Sequence, residues 1–170
     1  MAKSSKNIAV ELIKGAIAGA VSVWAMDRVT WYMYRNEDRK AFIKEKKAQV
    51  NDHYVAHVAV DKVAKATGTQ LTDKQHWYAG KGVHYFLGVA PGMLYAALRH
   101  KVKGLNAGNG TLYGLGLFIV MDEIVAPVSG LASGPMAYPW QAHARGLTGH
   151  LTVGVITDGV LKLLDKALPE

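Results

Sequence analysis

The chain contains no cysteine. Disulfides and thiolate metal sites are therefore excluded. Acidic residues are the scarcer charge, thirteen against twenty Lys and Arg, for a net +7. Walker, Rossmann, serine-elbow and zinc-protease signatures are all missing, so the reading leans away from an enzyme. Aromatic residues make up 9% and do not interleave with the basic ones. Nucleic acid is thus not an expected partner. The basic residues flank apolar blocks instead, which suits anionic lipid headgroups. No cleavable signal peptide is expected either. The first apolar block carries Glu11 and Lys14, runs past signal-peptide length and shows no clear A-x-A-type site.

What is present is concentrated in four apolar blocks, about 8–34, 78–98, 110–131 and 145–164. A helix rises 1.5 Å per residue, so about 20 residues cross a bilayer core. The blocks predict an all-α integral membrane protein of one domain, a four-helix bundle spanning 1–170. Gly and Pro inside the blocks fit membrane helices. Trp24, Trp31, Tyr32, Tyr34, Trp77, Tyr78, Tyr138 and Trp140 gather at one end of the blocks, as an interfacial belt would. A soluble helical protein is the alternative, but no block shows the polar stripe of a surface helix.

Residues 35–77 form a polar insert with fifteen charged residues. "RNEDRKAFIKEKKAQV" reads as a solvated basic helix and "HYVAHVAVDKVAKAT" as a second, ending before Gly68. The loop 127–142, rich in Gly and Pro, is an interfacial segment or a lid. Lys3, Lys6, Lys14, Arg99, Lys101, Lys103, Lys162 and Lys166 lie on the side of the termini. They favour a cytoplasmic position for that side, although the basic insert opposes them.

Two stretches repeat. "GAIAGAVSVWAMD" (15–27) and "GTLYGLGLFIVMD" (110–122) both read Gly, three residues, Gly, six residues, Met-Asp. "GVHYFLGV" and "TGHLTVGV" both read His, three residues, Gly-Val. The chain reads as a duplicated helix pair, with its symmetry axis along the membrane normal. Helical rise puts Asp27, Asp122 and His150 about 18 Å, and His84 about 22 Å, from one surface. All four reach one layer near the insert. The expectation is an interior Asp/His core, with each Asp meeting a His of the next helix. Gly15/Gly19 and Gly110/Gly114 are expected to pack helices one and three together, or to face a second copy in a homo-oligomer. Arg28 and Glu123 occupy equivalent positions and are expected to pair with each other or with Asp122 and Asp27. Arg145 and His143 lie near the same layer. Asp158 and Lys162, four apart, read as a structural pair. His53, His57 and Asp61 share a helical face, read as a solvated polar face rather than a zinc site.

The small-residue first and third helices, "GVHYFLG", "GHLTVG", the tyrosine of "GMLYAAL" and "YPWQAHARGLTGH" together resemble the YagU-like family of uncharacterised bacterial inner-membrane proteins. The resemblance spans most of the chain outside the insert. It implies the inner (plasma) membrane, multi-pass, with cytoplasmic termini, and no reaction. Three functions are open. The first is an accessory, assembly or stress-related component with a buried Asp/His polar core. The second is a metal- or haem-binding protein using His84 and His150, with Asp27 and Asp122 as further metal ligands. The third is a proton or ion path.

Overall fold

The computed structural model of the protein describes residues 7–168, so Lys3 and Lys6 lie outside the described residues. Among the described residues there is no strand. The helices are α1 (Ile8–Arg35), α2 (Arg39–Ala48), α3 (Val55–Thr67), α4 (Asp73–Leu98), α5 (Thr111–Val128) and α6 (Trp140–Ala167). Local signals set the boundaries. The side chains of Asn7 and Asp38 cap α1 and α2. Gly68, at φ +65°, stops α3 in a left-handed turn that a residue with a Cβ rarely adopts. Thr72 and Gln75 form a reciprocal capping box on α4.

Three helices, α1, α5 and α6, are long and apolar enough to cross a membrane. The block 78–98 is a helix too, but with Lys81 and His84 inside it α4 is not among the three. It begins at Asp73, five residues inside the expected insert, and α6 begins at Trp140 rather than Arg145. Ile13 and Trp24 on α1, Phe86 and Leu94 on α4, Ile124 on α5 and Leu163 on α6 are exposed. Such an apolar periphery suits contact with lipid.

α1 packs against both α4 and α6, and α5 packs on α6. α4 and α5 therefore flank a central α1–α6 contact. This corrects the expected contact between the first and third apolar helices. The glycines show why. A Cβ at Gly15 would lie 2.6 Å from the Gly92 carbonyl oxygen, and one at Gly19 would lie 2.7 Å from that of Gly88. A Cβ at Gly110 would strike the Gly154 carbonyl, and one at Gly114 that of His150. Each notch is filled by the next long helix along the chain, so these faces are covered within one chain. α1 settles on α4 as α5 settles on α6, backbone against backbone.

One helix departs from regular geometry. Within α5, Phe118–Val125 winds as a π-helix, and the Ala126 N–H donates to the Met121 carbonyl five residues back. Pro127 supplies the reason. It has no N–H to donate, and its ring crowds the carbonyl four residues earlier, so the turns before it widen. Asp122 and Glu123 sit in this widened stretch.

The insert is docked rather than solvated throughout. Ala41, Glu45, Ala48, Ala56, Val58 and Val60 are buried, and α3 packs on α4. Ser133 Oγ donates to the Ala48 carbonyl, and Lys62 Nζ to that of Ser129. Insert and Gly/Pro loop thus close over the same end of the molecule.

Candidate functional site

The π-helix and the close glycine contacts determine where the ionisable side chains of the apolar helices meet. His84 Nε2 lies 2.8 Å from Asp27 Oδ1, joining α4 to α1. His150 Nδ1 lies 3.5 Å from Asp122 Oδ2 and only 3.0 Å from the Gly146 carbonyl of its own helix. The first contact is a hydrogen bond. The second is an ion-pair distance, with the imidazole held mainly by backbone. All four residues line a single cavity of about 780 Å³ between α4 and α5, floored by α1 and α6. Met26, Met121, Tyr85 and Val153 supply apolar wall.

The expected partnership of Arg28 and Glu123 does not form. Arg28 is exposed, with its guanidinium 5.2 Å from the centre of the Trp24 ring. Glu123 Oε1 accepts from His143 Nδ1 at 2.6 Å, while His143 Nε2 lies 3.0 Å from the Pro135 carbonyl. The physical reason is the packing order. α6 lies against both α1 and α5, so the nearest group to Glu123 comes from α6.

Arg145 joins the apolar helices to the insert. Its Nη2 lies 2.6 Å from each Glu45 oxygen, its Nη1 meets Glu37, and its guanidinium lies over Tyr34. Burial raises the Glu37 carboxyl above its ordinary value; Arg145 opposes that rise and Glu45 adds to it. A second cavity of about 300 Å³ lies beside the first, shares Asp122 and Arg145 with it, and is roofed by Leu131, Ser133 and Tyr138. The loop expected as a lid is therefore at the cavity mouth.

Two polar clusters extend beyond the groupings read from sequence. At the terminal end, Asp165 accepts from Lys14 at 3.1 Å and from Arg99 at 2.6 Å, with Arg99 3.5 Å from Glu11. Lys14 and Arg99 are buried in this network, which corrects their assignment as headgroup-facing charges. Beside it, Tyr95 Oη donates to Asp158 at 2.7 Å, and Lys162 reaches Asp158 at 2.6 Å as its spacing predicted. In the insert, Asp61 bridges His53 at 2.9 Å and His76 at 2.7 Å. Burial pushes the Asp61 carboxyl upward, but the hydrogen bonds from both imidazoles outweigh it and hold the group below the usual carboxylate range. That corrects the reading of this face as merely solvated. His76 was missed because it precedes the apolar block, although the capping box around Thr72 already marked an earlier start for α4.

Comparison with protein-family models, with curated proteins and with solved structures gives no match.

Proposed function

We propose that the chain is a non-catalytic component of the bacterial inner membrane, an accessory or assembly protein or part of a stress response. Four membrane helices in two duplicated pairs hold a polar Asp/His chamber between them, with the termini cytoplasmic. One observation carries this reading: two Asp–His pairs, Asp27–His84 between α1 and α4 and Asp122–His150 between α5 and α6, line one chamber. Paired ionisable groups at membrane depth fix helix register, because each would cost at least about 2.5 kcal/mol on insertion scales if left alone. The matching glycine contacts of α1 on α4 and of α5 on α6 support the duplication.

His84 and His150 are already engaged at one ring nitrogen each, by Asp27 and by the Gly146 carbonyl. A haem iron bound through His84 Nε2 would have to displace Asp27. The second reading, a bound metal or haem, rests on His84 and His150 both lining this chamber. The absorption spectrum and metal content of detergent-purified protein separate the two. Under the first reading, His84→Ala and His150→Ala lower thermal stability and leave both measurements unchanged. Loss of a haem band or of a metal equivalent in these two variants would overturn it. Orientation is open to direct test, because a chain without cysteine accepts single reporters. A cysteine at Lys103 should resist an impermeant maleimide in intact spheroplasts, and one at Thr69 should react.

A further inference from the structure

The insert brings together groups that the sequence keeps 23 residues apart, from His53 to His76. His53 lies just before α3, Asp61 two helical turns into it, and His76 in the first turn of α4. One ligand atom from each lies within 4.8 Å of the other two. A fourth group stands beside them. The His57 ring is 5.1 Å from that of His76 and 6.0 Å from that of His53, centre to centre. Gly80, one turn beyond His76, makes room for it, since a Cβ there would run into the His57 imidazole. Three imidazoles thus crowd around one carboxylate.

From this geometry we propose that His53, His57, Asp61 and His76 form a binding site for a divalent transition-metal ion, with Zn²⁺ as the fitting occupant. Three nitrogens and one carboxylate oxygen, with no thiolate, match the donor set of borderline metals rather than of Mg²⁺ or Ca²⁺. Tetrahedral Zn²⁺ with bonds of about 2.0–2.1 Å needs ligand atoms about 3.3 Å apart. The bonded pairs His53–Asp61 and His76–Asp61 are already closer than that, at 2.9 and 2.7 Å. Small rotations of Asp61, His53 and His76 therefore open the centre, and the His57 ring would turn in as the fourth ligand. On binding, the protons now shared between the imidazoles and Asp61 leave to solvent, and the ring nitrogens coordinate as neutral donors. The metal would tie α3 to the start of α4 at the rim of the large cavity, where His57 forms part of the wall.

The test uses full-length, tag-free protein in detergent, stripped with a chelator and titrated first with Co²⁺ and then with Zn²⁺. The expected result is the visible ligand-field spectrum of four-coordinate Co²⁺, saturating at one equivalent and erased by Zn²⁺. His76→Ala and Asp61→Asn should each weaken Zn²⁺ binding by about tenfold or more, with helical content retained. Zn²⁺ should raise the melting temperature of the wild type and not of these variants. His84→Ala should bind Zn²⁺ like the wild type, which keeps this site separate from the chamber. Substoichiometric uptake by the wild type, or undiminished binding by both insert variants, would overturn the proposal.

Discussion

At the terminal end of the molecule, Glu11, Lys14 and Arg99 have side chains only 3% exposed, and Asp165 and Glu11 each approach both cations. At the opposite end, Asp27 and His84 keep about a third of their side-chain surface, 33% and 32%, and face a cavity. Both ends place ion pairs where the chain is otherwise apolar. The terminal network buries three of its four charges and leaves only Asp165 part-exposed, at 28%, whereas the insert end leaves its pairs around open volume. A closed network serves to hold α1, α4 and α6 together. An open one can admit water or a small guest without unfolding. The difference gives one end the closer packing and the other the open volume.

Removing a partner from the closed end should do the most damage. Arg99→Ala should lower stability by about 3 kcal/mol, because breaking a buried pair strands the remaining charge. Denaturant or thermal midpoints in detergent would show it, and a loss smaller than that of His84→Ala would erase the contrast between the ends. Next come the glycine contacts between the ends. Gly19→Ala and Gly114→Ala press a methyl into a backbone carbonyl and should cost about 2–3 kcal/mol each. Similar losses would sharpen the equivalence of the two helix pairs; a loss at one site alone would break it.

Within the open end, His84→Ala should cost about 1 kcal/mol, as for one hydrogen bond. His150→Ala should cost less of that pairing energy, since its 3.5 Å approach to Asp122 is not a hydrogen bond. Double-mutant cycles with Asp27→Asn and Asp122→Asn measure both couplings. The smallest effect is expected at Glu37. A carboxyl raised by folding contributes its stability below its unfolded pKa and loses it as pH rises through the folded value. Glu37→Gln should therefore flatten that acidic segment of the stability–pH curve and change little elsewhere.

Much of this was readable before any coordinates. Block length and the Gly68 stop marked the helices, and the repeated Met-Asp and His-x3-Gly patterns pointed to Asp27, His84, Asp122 and His150. Helical rise placed the four at one depth, and their common cavity is what the structure adds. Which helix fills which notch was not readable, because Gly-x3-Gly marks close approach without naming the neighbour. Arg28 and Glu123 were matched by repeat position, whereas contact is decided by packing order, and α6 supplies His143 first. Lys14 and Arg99 looked like interfacial cations because nothing in composition separates a snorkelling lysine from one held by Asp165, 151 residues away. The π-helix was not readable either, since Pro91 sits within α4 without producing one.

Arg145 carries one more consequence. Its guanidinium grips Glu37 ahead of α2 and Glu45 within it, while its backbone belongs to α6. Five residues further along that helix stands His150, on the chamber wall. The arrangement works as a mechanical linkage. A displacement of α2 would reach the helix that bears His150 directly through this side chain, while Ser133 and Lys62 tie the insert to the Gly/Pro loop. The insert then acts as the handle and α6 as the shaft.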